Sequence, residues 1–233
     1  MSKEAKYLVG IDLGTTNCTL SYSALHKEDS SSEETPHDFQ IKQFFIPQVT
    51  KAGLQEDSSS LPSFIYFPLE EELKVKTAGI SWDPSRSICV GAYAQSRGEE
   101  LPSRLIASAK SWLCHAGIDR REASLPLVAE DDIVKNSPLQ ACSQLLVHLK
   151  EAWDSKMESP FVEQNLLITV PASFDPSARQ LVQEAAQQAG YPEVILLEEP
   201  QAAFYAWMHA HAKDWRSLLQ VGDCVLVIDI GGG

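Results

Sequence analysis

Two aspartates in this chain stand in nearly the same setting. Asp12 lies in V-G-I-D-L-G-T-T (Val9 to Thr16) and Asp229 in L-V-I-D-I-G-G-G (Leu226 to Gly233). Each segment reads as a buried apolar strand that carries a carboxylate to its last residues and then breaks into a glycine turn, where backbone N–H groups can close around phosphate oxygens. Turn chemistry alone explains one such aspartate. Its recurrence favours function, because a carboxylate at the end of an apolar strand must meet solvent in a cleft or be matched by a cation. Two carboxylates converging from two strand ends suit Mg²⁺, which keeps several waters and needs few protein ligands. Two facing turns would hold one nucleotide. Thr15 and Thr16 add hydroxyls and backbone donors beside Gly14, a composition that holds phosphate oxygens without a positive side chain and serves a tight hairpin equally well.

Other polar residues have plainer readings from spacing. Lys110 lies on the edge of the stripe Leu105, Ile106, Ala109, Trp112 and Leu113, where most lysines extend to water. Glu198 and Glu199 precede Pro200 at a strand-to-helix junction and suit a helix N-terminus. Arg179, early in a helix, reads as a solvated charge. His209 and His211 are two residues apart on a helix, point to different faces, and make no metal pair.

The elements that must position these residues follow from pattern. Tyr7 to Leu13 and Cys18 to Ala24 are β-rich runs joined by Gly14 to Asn17, a hairpin by length and residue type. His26 to Asp38 is serine- and acid-rich with little apolar content, the composition of a mobile loop. Phe39 to Val49 and Leu61 to Phe67 read as strands, Ile88 to Gly91 as a short strand, and Ala92 to Arg97 and Ser103 to Leu113 as helices. Ser137, Pro138 and Gln140 form a cap, first-turn proline and capping box for a helix whose apolar face is Leu139, Cys142, Leu145, Leu146, Leu149 and Trp153. Asn165 to Val170 is a strand. Asp175 and Pro176 open a helix that Gly190 closes. Val194 to Leu197, Pro200 to His211 and Cys224 to Ile230 read as strand, helix and strand. Alternating elements after an early hairpin predict an α/β fold with a mixed sheet covered on both faces.

With 233 residues, 44% of them hydrophobic, the chain can bury a real core. A net charge of -13, from 19 basic and 32 acidic residues, repels nucleic acid and anionic lipid. A polyanionic ligand then needs local help from N–H groups, a lysine or a metal. No apolar run approaches a spanning helix and the first residues are polar, so the expected location is cytoplasmic, without membrane association. Cys18, Cys89, Cys114, Cys142 and Cys224 form no C-x-x-C pair and read as buried free thiols.

Taken in order, G-I-D-L-G-T-T-N (Gly10 to Asn17), L-P-S-F-I-Y-F (Leu61 to Phe67), R-L-I-A-S-A-K-S-W-L (Arg104 to Leu113), I-T-V-P-A-S-F (Ile168 to Phe174), the helix from Arg179 to Gly190, E-E-P-Q-A-A (Glu198 to Ala203) and V-I-D-I-G-G-G (Val227 to Gly233) resemble the nucleotide-binding domain of the Hsp70 chaperone family. The likeness is to divergent bacterial Hsp70-like proteins more than to the housekeeping type. It implies an actin-like ATPase (ribonuclease H-like) fold. Residues 1–46 and 137–215 would form the core of the first lobe, 47–136 a peripheral insertion, and 216–233 the start of a second lobe. It implies ATP and Mg²⁺: Asp12 and Asp229 would hold the metal through water, and Gly14, Thr15, Thr16, Asn17, Gly231, Gly232 and Gly233 would cradle the phosphates. Lys110, Thr15, Glu199 and Asp12 fall on catalytic positions, and Pro171 and Arg179 on a pair that relays nucleotide state. Unfolded polypeptide clients, bound by a C-terminal domain beyond this chain, and co-chaperones are the implied partners. Glu198 and Gln201 depart from the family's usual asparagine and threonine.

Two other functions share the paired D-x-G pattern: a kinase for a sugar or other small molecule, and a nucleotide-sensing scaffold without turnover. The block from Ile168 to Ala203 and the lack of an obvious catalytic base disfavour the first, and Lys110, Asp12, Thr15 and Glu199 the second. Because the chain stops inside the second glycine turn, it reads as a piece of a larger protein. Residues 1–233 alone are therefore expected to bind ATP poorly and not to hydrolyse it, and tight binding in isothermal titration contradicts this.

Overall fold

The computed structural model describes residues 5–25, 40–115 and 117–230. The polar stretch His26 to Asp38 lies outside them. Strands β1 (Tyr7–Leu13) and β2 (Asn17–Ala24) form the expected hairpin, in antiparallel register from Tyr7 opposite Ala24 to Leu13 opposite Cys18. The run from Phe39 to Val49 divides. β3 (Lys42–Gln43) stays beside β2, whereas β4 (Ile46–Lys51) turns away and pairs with β5 (Leu54–Ser58) through a turn containing Gly53 at φ +70°. β6 (Leu61–Pro62) returns to β2, and β7 (Phe64–Tyr66) is the centre of a second sheet. Helix α1 (Glu70–Lys74), strand β8 (Cys89–Val90) and helix α2 (Ala92–Glu100) follow.

The stretch Ser103 to Leu113 is not one helix. It becomes a 3₁₀ turn at Pro102–Arg104, strand β9 (Leu105–Ala107) against β7, and helix α3 (Ala109–Trp112). The break is at Ser108, whose φ of +54° is left-handed. Ladder bonds to β7 and burial of Ile106 outweigh helical spacing that looked adequate locally.

Helix α4 (Pro138–Lys156) starts as its cap residues predict: Ser137 Oγ accepts from Gln140 N at 3.0 Å, and Gln140 Oε1 accepts from Ser137 N at 2.8 Å. β10 (Asn165–Val170) leads to α5 (Pro176–Gln188), capped by Asp175 accepting from Ala178 N at 2.7 Å. β11 (Val194–Glu198), α6 (Glu199–Ala210) and α7 (Trp215–Leu218) complete the order. In the main sheet, β11-β10-β1-β2-β3, β1, β10 and β11 run parallel and the hairpin antiparallel.

Among the described residues, one face of this sheet carries the buried core, and the other opens on a cavity that α6 borders. Val9, Ile11 and Leu13, with Leu166, Ile168 and Val170, are buried in one core with Leu145, Leu149 and Trp153 of α4 and Leu181 and Val182 of α5. Of the alternate positions, Gly10, Asp12, Thr19 and Thr169 are small or polar and line an open cavity, with Leu167 beside them. Period-two alternation suits a sheet wet on one side. Cys224 to Ile230 forms no strand among the described residues. Leu226, Ile228 and Ile230 are exposed there, because a strand needs a neighbour for its N–H and C=O groups. Cys18, Cys89 and Cys142 are buried free thiols as expected; Cys114 and Cys224 are exposed. Of the described residues, no helix is long and apolar enough to cross a membrane.

The region 47–136 is tied to α4 by buried polar contacts. Arg86 always donates, so its 2.9 Å contact with His148 Nδ1 makes that nitrogen the acceptor, and Nε2–H then donates to Pro47 O, also at 2.9 Å. Glu151 accepts from Arg86 and from Trp82 Nε1. Burial and then the adjacent guanidinium push His148 down to about 3 from its ordinary 6.5. The unfolded chain binds a proton here that the folded ring refuses, so this contribution is complete above about pH 6.5 and is lost as pH falls toward 3. Urea-unfolding free energy is expected to fall by up to about 1.4 kcal/mol per pH unit in that window from this group. The slope should flatten in His148→Gln, which keeps a donor and an acceptor without titrating. Equal slopes reject the assignment.

Candidate functional site

A cavity of about 1050 Å³ opens on the wet face of the main sheet. β1 and β10 form its floor. Asp12 and Thr169 are register partners on adjacent parallel strands, and Thr169 Oγ1 donates to Asp12 Oδ1 at 2.9 Å. The turn Gly14 to Asn17 forms one rim. An added Cβ at Gly14 would stand 2.1 Å from Asn17 O, so this position is glycine because the turn closes on itself. Asp229 borders the same cavity from the extended segment beyond α7. Asp12 and Asp229 thus face one hollow. Gly231, Gly232 and Gly233 lie outside the described residues.

Lys110 does not extend to water, as spacing alone suggests. Its side chain is 4% exposed and its Nζ donates to Glu199 Oε1 at 2.5 Å. The left-handed Ser108 redirects the chain after β9, which is why Lys110 enters the cavity wall and not the outer surface. Its ammonium also sits 5.9 Å from the centroid of the Phe174 ring. Glu199 opens α6, so the helix N-terminus accounts for part of its setting, but its named partner is a buried ammonium.

Glu198 points elsewhere. Its Oε1 accepts from Arg179 Nη2 at 2.6 Å, and no side-chain cap bond to α6 is formed. Arg179 is not a free surface charge either, since its Nε donates to Phe174 O at 3.1 Å. Pro171 borders the cavity and its carbonyl accepts from Phe174 N at 3.1 Å. A circuit results: Lys110 to Glu199, one residue along to Glu198, across to Arg179, on to Phe174, and back under Lys110. Spacing had no means of finding Thr169, whose partner Asp12 lies on a neighbouring strand 157 positions away, or the pairing of Glu198 with Arg179 of α5.

His209 and His211 form no metal pair with a third ligand: of the described residues, no three His, Cys, Asp or Glu side chains come together. The site therefore offers two separate carboxylates on a hollow, a buried lysine paired with a partly exposed glutamate on its wall, and a close-packed glycine–threonine turn on its rim. That inventory is suited to binding a polyanion with a hydrated cation.

The Hsp70 protein family model matches residues 98–233. This is more than half of the chain, which belongs to that family. The chain is 29% identical over 225 residues to the chaperone protein HscA homologs of Haemophilus influenzae (strain PittEE) and Actinobacillus pleuropneumoniae serotype 5b (strain L20). It is 26% identical over 238 residues to that of Aeromonas hydrophila subsp. hydrophila. The matches cover 97 to 98% of this chain but 31% of each relative, so the chain spans about a third of their length.

Gly14→Ala is expected to force the rim turn open and to lower unfolding free energy by about 1–3 kcal/mol, the range for overpacking a tight site. Thermal or urea unfolding of the variant checks this, and an unchanged midpoint rejects the steric argument.

Proposed function

We propose that this chain supplies the ATP-binding first lobe of an Hsp70-type molecular chaperone, an actin-like ATPase in which hydrolysis of ATP to ADP and phosphate drives client binding and release. In this reading 1–46 and 137–215 are the lobe's core, 47–136 is inserted peripherally, and 216–233 begins the second lobe. Unfolded polypeptides would bind through a separate C-terminal domain, with co-chaperones acting on the cycle. The observation that carries the reading is buried Lys110, paired with Glu199 on the wall of a cavity that Asp12, Thr15 and Asp229 also border.

Each residue has a physical task. The Gly14–Asn17 turn offers backbone and hydroxyl donors to phosphate oxygens in a chain whose net charge of -13 would otherwise repel them. Lys110, aimed by Glu199, stabilises negative charge developing on the transferring phosphoryl group and orients the attacking water. Asp12, held by Thr169, and Asp229 are hard oxygen donors that fit Mg²⁺ through its waters, and so few protein ligands suffice. When bound, Mg²⁺ neutralises phosphate charge. Arg179, joined to Glu198 beside Glu199, couples the cavity wall to α5, and with Pro171 it forms the proposed relay.

Lys110→Ala in the full-length protein is expected to lower single-turnover ATP hydrolysis by about 10²- to 10³-fold, as for loss of one transition-state donor, while ATP affinity changes much less. Equal turnover rejects the role of Lys110. Phosphorylation of a screened metabolite by the full-length protein would instead favour a small-molecule kinase.

A further inference from the structure

Ser63 belongs to the L-P-S-F-I-Y-F segment and has no role in the proposal above. It lies between β6 and β7, is 2% exposed, and does not border the cavity. Its backbone N–H donates to Thr16 O at 2.8 Å and its Oγ donates to Gly14 O at 2.7 Å. Both carbonyls belong to the rim turn. A hydroxyl has one proton, and here the Gly14 carbonyl takes it. The Cys18 thiol, 3.3 Å from Ser63 Oγ, is then the donor in that contact. Burial pushes the Cys18 thiol up to about 11, so the proton it donates is present at neutral pH. One buried residue therefore grips two carbonyls of the turn and is itself held from β2.

The direction of those carbonyls matters chemically. In a trans peptide the N–H points opposite to the C=O of the same unit, so drawing the Gly14 carbonyl toward buried Ser63 turns the Thr15 N–H the other way. The turn lines the cavity, and Ser63 is not among the lining residues. A carbonyl oxygen left facing the cavity would repel an anion; one pinned underneath leaves donors on the rim. Ser63 also directly precedes the central strand of the second sheet, so the turn is fastened to the region 47–136 as well as to its own hairpin.

We infer that Ser63 is a positioning residue for phosphate recognition, holding the Gly14 and Thr16 carbonyls away from the cavity so that the turn presents N–H donors to the phosphate chain of a nucleotide. This rests on reading the cavity as a nucleotide site. The test is ATP titration of the full-length protein as wild type, Ser63→Ala, Ser63→Cys and Cys18→Ala. Ser63→Ala is expected to raise the ATP Kd roughly five- to tenfold, about what loss of one hydrogen bond allows. Ser63→Cys, which keeps bulk but offers only a weak S–H donor, should raise it roughly two- to threefold. Cys18→Ala trims the same buried spot but leaves the Gly14 contact, and should stay within about twofold. Adenosine, tested in competition, has no phosphate and should lose no affinity in any variant.

An unchanged Kd for Ser63→Ala, with wild type binding ATP, overturns the inference. So does a loss in Cys18→Ala equal to that in Ser63→Ala, which would mean general loosening of the core. Should Ser63→Ala fail to fold, Ser63→Cys decides, and an unchanged Kd there overturns the inference. Failure of the wild-type full-length protein, of which residues 1–233 are expected to be a part, to bind ATP overturns the nucleotide reading itself, which the variants alone cannot do.

Discussion

A lysine ammonium taken almost wholly out of water is the constraint from which the site is built. Lys110 carries its charge at 4% exposure. Burying such a charge unpaired costs several kcal/mol, and breaking a buried pair by removing one partner typically costs about 3–5 kcal/mol. Glu199 is therefore required at the place where it is found. Its position is in turn set by the junction of β11 and α6 and by the neighbouring Glu198, which is fastened to Arg179. Arg179 also holds the Phe174 carbonyl, whose ring lies near the same ammonium. A structural role for any one of these residues is inseparable from the proposed chemical role of Lys110, because each fixes the next.

The second constraint is a sheet with one dry and one wet face. Alternation in β1 and β10 buries Val9, Ile11, Leu166 and Ile168 against α4 and α5, and leaves Gly10, Asp12 and Thr169 to floor a cavity. Small and polar side chains on that face leave room for a ligand, and the bulky ones on the opposite face hold the floor rigid. The rim turn obeys the same division. Its glycine is demanded by close approach to Asn17 O, and its carbonyls are drawn below by Ser63. In the proposed function a strongly acidic chain can then meet a polyanion, because the residues meeting it are donors and not carboxylates alone.

Membership of the Hsp70 family and the cavity geometry bear on different questions. Family membership follows from the match over residues 98–233 and says nothing of how Lys110 is held. The geometry puts Lys110, Glu199, Asp12 and Asp229 around one hollow without naming a ligand. ATP hydrolysis is the reading that joins the two.

What the sequence by itself determined is local. The hairpin around Gly14, the capping box of α4, the Asp175 cap of α5 and the alternation of β1 and β10 are decided by neighbours a few residues away, so they could be read directly. Only the tertiary structure decided the rest. Lys110 reads as a solvated lysine until Glu199, 89 positions later, is brought against it; Asp12 meets Thr169 across 157 positions, and Ser63 meets Gly14 across 49. The same holds for the errors. Ser103 to Leu113 has helical spacing, yet β7 offers Leu105–Ala107 a ladder. Cys224 to Ile230 has strand composition, yet no strand among the described residues stands beside it. Hydrogen-bond partners and dry surfaces are supplied by the fold, and a local pattern cannot reveal which distant segment will supply them.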